Sequence, residues 1–509
     1  MTDQSDAIAQ AIENAVRATS ETATRFIEPK QGVLSQVSSR RHYIIYGRRG
    51  SGKSSLLYKL QHNADANRQP CALVDLETVK GLEYPDVLIV VLQRTLVSLR
   101  DWLDTAAVAR KTARFWQRRS IDTRNLKGPL ARKEVAALRA RLDAEIVALE
   151  AQLEAPLESS VLENSGWTSR EAADTGGGLS APGVTADARL ASERGESGMY
   201  EKKYTATKIQ SLNRALLRHQ QLVKDLSSLA ENPTLILLDD LYHVPIASQP
   251  YVLDYFHRLC KGLPVYMKVG TIRHRSRVYL GGDPPVGVEI GHDAGSIDLD
   301  KTLEDFEAAR EFLLAVTKSI LDEVDLDIRP AQIAERRVYN RLTLASGGVA
   351  RDFLNLLGAA VQLAASPGRD LRLGVSSINQ VAGELETNKR NDLARDVSTG
   401  EDSGHLLDVL DSVRTFCYEQ KVNCFLLEQD SPQEKSGPVR ELVDMRLVHS
   451  VKNRVTIPAR PGRIYEAYML DISQWTGERK RRNLEEIEFW KKEGAERLRQ
   501  VRLIYAARS

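Results

Sequence analysis

A glycine-rich segment near residue 50 has the residue types and spacing of a phosphate-binding loop. Its eight residues match the pattern Gly-x-x-x-x-Gly-Lys-Ser/Thr in full and read Gly47-Arg48-Arg49-Gly50-Ser51-Gly52-Lys53-Ser54. The glycines let the backbone curl so that successive N–H groups point inward, toward the dense negative charge of a polyphosphate. We predict that Lys53 reaches the β- and γ-phosphates and that Ser54 supplies an oxygen to Mg²⁺. The predicted nucleotide-binding set runs from Gly47 to Ser55.

The loop needs a strand before it and a helix after it, and the sequence predicts both. The apolar run His42–Tyr46 stops at the first glycine, and Ser54–Leu60 has helical spacing. The start of that helix would add its positive dipole end to the phosphate site. The motif in this context predicts binding of ATP with Mg²⁺.

Two carboxylates follow a second apolar run. Leu235–Leu238 is followed directly by Asp239 and Asp240. Predicted strands alternate with predicted helices around this run, which indicates a parallel sheet with helices on both faces. Ligands of such sheets bind outside the carboxyl ends of the strands. We therefore predict that Asp239 holds Mg²⁺, directly or through water, and that Asp240 polarises the attacking water. A solvated pair of acids at a strand end is the alternative.

Three further polar positions are candidates for contact with the nucleotide. Thr271 ends the next apolar strand and is a candidate sensor of the γ-phosphate. Arg275 or Arg277, in the basic loop that follows, is a candidate arginine finger into a neighbouring subunit. A solvated or DNA-facing loop is the equal alternative. Arg351 stands at a predicted helix start and is a candidate to reach back over the nucleotide, with a surface arginine as the alternative.

The order of these elements resembles that of the AAA+ ATPases. The phosphate loop, Asp239-Asp240, Thr271 and Arg351 correspond to Walker A, Walker B, sensor one and sensor two. The chain looks most like the origin-recognition-complex-type branch and the related STAND signalling ATPases. The resemblance implies an α/β P-loop NTPase fold with a helical lid and, often, a winged-helix domain. The chain departs from the family in having Asp239-Asp240 where Asp-Glu is frequent. Double aspartate is common in STAND proteins, which tend to be slow switches.

Patterns of apolar residues divide the chain into six predicted parts. These are the ATPase core in two pieces (1–105 and 231–300), a helical insertion (106–230), a lid (301–400), a winged-helix domain (401–475) and a charged C-terminal helix (476–509). Within the insertion, apolar stripes over Val135–Leu153 and Ile209–Leu226 predict an antiparallel, coiled-coil-like hairpin. Ser159–Gly198 between them has a disordered composition. Helices that simply pack on the core are the alternative.

The winged-helix prediction comes from a helix–strand–helix–hairpin pattern. The resemblance to winged-helix domains implies DNA as a partner. Basic residues crowd around the proposed wing and at the start of the tail: Arg446, Lys452, Arg454, Arg460, Arg463 and Arg479–Arg482. Such clusters contact DNA phosphates. The alternative is that the domain is a packing module, as winged helices often are in STAND proteins.

Composition limits the remaining possibilities. The 71 basic and 69 acidic residues give a net charge of +2, so any nucleic-acid contact has to come from local patches. Four cysteines without metal-ligand or redox spacing suit a reducing cytoplasm. The apolar runs are too short to span a bilayer, and the N-terminus has no secretory signal. We expect a cytoplasmic protein without a membrane partner.

These features predict a Mg-dependent ATPase, an AAA+-type switch or motor that forms homo-oligomers. It is expected to act on DNA in replication, mobile-element control or defence. The alternative is a STAND-type signalling scaffold with slow turnover, whose helical arm (106–230) binds a protein trigger or effector. A small-molecule kinase is a third interpretation. It is disfavoured because the sequence shows no phosphoacceptor site beyond the loop.

Overall fold

A parallel five-stranded sheet carries the phosphate loop. It is seen in a computed structural model that describes residues 2–19, 21–108, 132–154, 208–323, 328–365, 371–387, 389–391, 400–476 and 484–506. The strands are β1 (His42–Tyr46), β2 (Cys71–Asp75), β3 (Thr234–Asp239), β4 (Val265–Thr271) and, after a small hairpin of β5 (Tyr279–Leu280) and β6 (Val286–Gly287), β7 (Ala294–Asp298). The spatial order is β2-β3-β4-β1-β7, with every neighbouring pair parallel. The carboxyl ends of β1, β3 and β4 therefore meet at one edge.

Both faces of the sheet are covered, which is why its strands are continuous apolar runs. Alternate residues point to opposite faces. Ile45, Leu235 and Leu237 pack with α2 (Val33–Val37) and α3 (Lys53–Ala66). Ile44, Ile236 and Leu238 pack with α4 (Asp86–Val108) and with α7 (Gln249–Cys260). Both layers are buried, as expected for a doubly covered α/β sheet.

The insertion forms the predicted antiparallel helical pair, and the pair lies on the core. Its helices are α5 (Arg132–Glu154) and α6 (208–227). Ion pairs from Arg141 to Asp225 (2.6 Å) and from Arg218 to Glu145 (3.1 Å) show that the two helices run in opposite directions. Their apolar stripes are buried in the same cluster as α4 and the sheet, because each stripe faces the core as well as its partner. The connection that includes Ser159–Gly198 lies outside the described residues.

The lid is a layer of helices that includes the N-terminus of the chain. Its helices are α8 (Phe306–Glu323), α9 (Pro330–Ile333), α10 (Arg336–Ser346), α11 (Ala350–Ala364) and α12 (Val375–Glu384). Helix α1 (Thr2–Val16), predicted within the first piece of the core, packs on α11 and α8 instead. Its buried Ile8 and Ile12 explain this position, since Gly358 of α11 leaves room for Ile12.

The C-terminal unit has the predicted helix–strand–helix–hairpin order. It consists of α13 (Gly400–Gln420), β8 (Cys424–Glu428), α14 (Gln433–Asp444), β9 (Val448–Thr456) and β10 (Ile464–Leu470). The strands form an antiparallel sheet in the order β8-β10-β9, which places the hairpin as a wing beside α14. This unit completes the fold class predicted from the sequence: a P-loop NTPase sheet, a lid, a helical insertion and a winged helix.

The prediction of a single charged helix for the tail was wrong. Within the described residues 484–506, only α15 (Lys492–Arg497) is α-helical. Buried apolar residues at irregular intervals, including Ile487, Phe489 and Leu503, hold an extended segment against the C-terminal sheet. Their burial outweighs the helical propensity of the charged residues between them. The basic run Arg479–Arg482 lies outside the described residues.

None of the helices that the structure describes has the length and apolar character needed to cross a membrane. The four cysteines are free and buried. Burial raises the pKa of the Cys71, Cys260, Cys417 and Cys424 thiols, so they behave as small apolar side chains.

Because the insertion packs on the core, substitutions at two positions of α5 should change the free energy of unfolding by very different amounts. Leu142 is 1% exposed and Val147 is 61% exposed. We expect Leu142→Ala to lower the free energy of unfolding by about 2–5 kcal/mol, because it leaves a cavity between α5 and α4. Val147→Ala should change it by less than about 0.5 kcal/mol. Chemical denaturation of both variants checks this. Equal effects would mean that the insertion does not pack as described.

Candidate nucleotide site

The phosphate loop joins the end of β1 to the start of α3. Gly50 (φ 81°) and Gly52 (φ 98°) have left-handed backbone conformations that favour glycine. Gly50 also has no space for a side chain, because a Cβ there would lie 2.5 Å from Cβ of Arg351. The loop therefore curls as the motif requires, and the first turn of α11 packs directly against it.

Lys53 is held inside the loop. Its Nζ donates to the carbonyl oxygens of Gly47 (2.9 Å) and Arg48 (3.2 Å), and it lies 4.0 Å from Oδ1 of Asp240. Burial lowers the pKa of Lys53, and the nearby Asp240 and Asp239 oppose that shift. Phosphate oxygens are stronger acceptors than these carbonyls because they are charged. The lysine is thus placed to exchange backbone acceptors for a polyphosphate.

Ser54 and Asp239 form a pair of oxygen donors beside this lysine. The Ser54 hydroxyl donates to the Asp239 carboxylate, and Oδ1 of Asp239 also accepts the N–H of Asp240 (3.0 Å). Burial, followed by the charge of Asp240, raises the pKa of Asp239 to about 7. A divalent cation would reverse this shift, since it favours the ionised carboxylate. A hydroxyl and a carboxylate are hard oxygen ligands of the kind Mg²⁺ takes.

Two residues that sequence reasoning missed shape this pair and its surroundings. A Cβ on Gly270 of β4 would lie 2.7 Å from Oδ1 of Asp239, so the strand next to β3 must carry glycine here. Tyr242 lies in the short helix Leu241–His243, with its ring 5.9 Å from Nζ of Lys53 and its hydroxyl 3.3 Å from Nε of Arg49. A glycine within the apolar strand β4 was the sequence signal that could have revealed Gly270.

The remaining predicted site residues fall into two groups. Thr271 and Arg351 reach the loop: the Gly47 N–H donates to the Thr271 carbonyl (3.2 Å), and the Arg351 N–H donates to the Gly50 carbonyl (3.3 Å). The buried Thr271 hydroxyl bonds that of Ser276, and Arg351 lines the cleft. Arg275 is not among the residues that line the cleft.

A cleft lies beside the loop, between the sheet, the N-terminal segment and the lid. Its phosphate end is lined by residues 49–55, Asp240, Tyr242 and Arg351. The rest of the lining comes from the N-terminal segment and the lid. It is mainly apolar (Ala15, Val16, Phe26, Ile27, Phe312, Val316, Ile320 and Leu354) and includes the polar Thr22, Arg25 and Ser319. A charged part joined to a mainly apolar part suits the two halves of a nucleotide. No sequence motif predicted that the N-terminal segment lines the cleft.

Comparisons with known proteins show similarity in solved structures alone. No family model and no curated protein matches the chain. The Orc1 protein of Aeropyrum pernix in complex with DNA is 15% identical and aligns over 88% of this chain and 91% of its own, with a TM-score of 0.34. A Walker-type ATPase of Pyrococcus abyssi is 13% identical over 86% and 90%, with a TM-score of 0.37.

The contact between Gly270 and Asp239 yields a test of the oxygen-donor pair. We expect Gly270→Ala to weaken Mg–ATP binding about tenfold, because the new methyl group displaces the carboxylate from Ser54. Gly281→Ala is the matched control, since a Cβ there meets nothing within 4 Å. Calorimetric titration of both variants, with thermal unfolding as a check on folding, measures the difference. Unchanged affinity in Gly270→Ala would remove Asp239 from the metal site.

Proposed function

We propose that this protein is a Mg-dependent ATPase, an AAA+-type switch or motor. The observation that carries the proposal is the convergence of the phosphate loop, Lys53 and Asp240 on one cleft, with Asp239 beside them in contact with Ser54. The free and buried cysteines support a cytoplasmic place of action.

Each residue at the phosphate end has a distinct proposed role. Lys53 and the loop N–H groups bind the β- and γ-phosphates, while Ser54 and Asp239 hold Mg²⁺. Bound Mg²⁺ supplies charge neutralisation on the phosphate oxygens. Asp240 orients the attacking water and accepts its proton. Thr271 and Arg351 sense the γ-phosphate from the sheet and from the lid.

Slow turnover is part of the proposal. Asp240 is one methylene shorter than the glutamate frequent at this position, and its backbone is left-handed (φ 55°). Its carboxylate lies 4.0 Å from Nζ of Lys53, on the same side of the loop. A switch that keeps its nucleotide for long periods, as in the STAND-type alternative, is compatible with this arrangement. We further propose homo-oligomers in which Arg275 reaches a neighbouring nucleotide.

The C-terminal unit supports a DNA contact through its wing more than through its helix. Helix α14 has a mixed charge, and its Asp444 lies close enough to Arg48 and Arg275 to interact electrostatically. Lys452 and Arg454 on β9 and Arg460 in the 457–463 turn are exposed instead. In the described part of the chain their side chains have no ion-pair partner. We propose that these three residues contact DNA phosphates.

Substitutions at Lys53 and Asp240 should affect nucleotide binding and hydrolysis separately. We expect Lys53→Ala to weaken Mg–ATP binding about 100-fold, because it removes the charge that pairs with two phosphates. Asp240→Asn should bind ATP normally and hydrolyse it about 100-fold more slowly, because the amide cannot accept a proton. Asp430→Asn, an exposed carboxylate in the turn between β8 and α14, is the control. Calorimetry and phosphate release measure both properties. Wild-type turnover in Asp240→Asn would exclude Asp240 as the base.

The wing makes a prediction for salt dependence. We expect the double variant Arg454→Gln/Arg460→Gln to reduce the slope of log K against log salt by about 2 for duplex DNA, because two phosphate contacts are lost. Arg337→Gln, an exposed lid arginine, should leave the slope unchanged. Fluorescence anisotropy over a salt series measures both. Absence of DNA binding by the wild type at low salt would exclude the DNA part of the proposal and favour the scaffold.

A further inference from the structure

Two consecutive residues at the start of α11 connect the nucleotide cleft to the C-terminal unit. Arg351 lines the cleft and its N–H donates to the Gly50 carbonyl (3.3 Å). Asp352 is buried, and its Oδ1 lies 2.5 Å from a guanidinium nitrogen of Arg446, which precedes β9. The first turn of α11 is thus attached to the phosphate loop by one residue and to the C-terminal unit by the next.

The turn before α11 is in close contact with both the C-terminal unit and the phosphate loop. Gly347 has a left-handed backbone (φ 57°), and a Cβ there would lie 2.1 Å from Nδ1 of His449 on β9. On the other side, Arg48 of the phosphate loop donates to the carbonyl oxygens of Gly347 (3.1 Å) and Lys301 (2.9 Å). Small movements of the C-terminal unit would therefore be transmitted to the loop through close contacts.

The Asp352–Arg446 ion pair is well placed to fix this junction. The two side chains are 9% and 12% exposed, so solvent screens their attraction little. Oδ2 of Asp352 has no hydrogen-bond partner in the described residues, which leaves the carboxylate dependent on its contact with Arg446. Removal of one member of a buried pair leaves an uncompensated charge and shifts the local structure.

We propose that Arg446 and Asp352 are positioning residues for ATP hydrolysis: their ion pair sets the first turn of α11 and thereby places Arg351 over the phosphates. The inference rests on the proposed ATPase function and adds to it that the C-terminal unit completes the nucleotide site. Neither residue is among those that line the cleft. Loss of the pair should therefore lower the hydrolysis rate while leaving most of the binding energy, which comes from the loop and Lys53.

A double-mutant cycle separates positioning from simple stabilisation. Asp352→Asn should lower the single-turnover hydrolysis rate about tenfold, because a displaced Arg351 no longer meets the transition state. Its Kd for Mg–ATP should change by less than about threefold, since the loop contacts remain. In an Arg351→Ala background, Asp352→Asn should have no further effect on rate, because the two residues act through one contact. Glu428→Gln, which breaks an exposed ion pair with Arg463 in the same unit, is the control and should leave the rate unchanged.

The outcomes distinguish this inference from the proposed function itself. No Mg–ATP binding by the folded wild type would remove both. Wild-type hydrolysis with an unchanged rate in Asp352→Asn, or full additivity with Arg351→Ala, would overturn the positioning role alone. Thermal unfolding identifies variants that fail to fold. In that case Arg446→Lys, which keeps the charge and changes the geometry, replaces Asp352→Asn in the same cycle, with the same expected and contradicting results.

Discussion

The absence of side chains from the inside of the glycine-rich loop determines how the neighbouring elements pack around it. A ring of N–H groups can face the phosphates only if side chains are absent from the inside of the loop, and Gly50 and Gly52 provide this. The same exclusion lets α11 approach, because Gly50 contacts Arg351 directly. On the opposite side, Gly270 gives Asp239 its place. The absence of side chains at Gly50 and Gly270 therefore determines where Arg351 and Asp239 lie.

Buried charge is the second organising feature of the cleft. Lys53, Asp239 and Asp240 share a poorly solvated volume, where burial lowers the pKa of the lysine and raises that of Asp239 to about 7. Both shifts favour neutral forms, and ion pairing opposes them only partly. A nucleotide polyanion with its cation would favour the charged forms of both residues. Protonation of Asp239 and metal binding are therefore linked, and metal affinity should fall as pH drops below about 7.

The sequence predicted the parts of this molecule that depend on local patterns. The loop, β1, β3 and the adjacent carboxylates follow from motif and periodicity, since continuous apolar runs mark strands covered on both faces. Features decided by long-range packing were missed. Helix α1 lies on the lid because of Ile8 and Ile12, although it precedes the sheet in the chain. The tail is held by scattered buried residues that have no period. Gly270 interrupts an apolar strand, which is a local signal, but that signal does not identify its contact with Asp239 on the neighbouring strand.

The C-terminal unit divides its surface between the two parts of the proposed function. Asp444 at the end of α14 interacts electrostatically with Arg48 and Arg275, and Arg446 pairs with Asp352, so this end of the unit faces the phosphate loop and α11. On the wing, Lys452, Arg454 and Arg460 are exposed, and none of them forms an ion pair within the described residues. His449 on β9 contacts Gly347 in the turn before α11, and Arg446 pairs with Asp352 in α11. These two contacts connect the wing to Arg351. If DNA on the wing changed the affinity of the cleft for nucleotide, nucleotide in the cleft would change the affinity of the wing for DNA by the same factor.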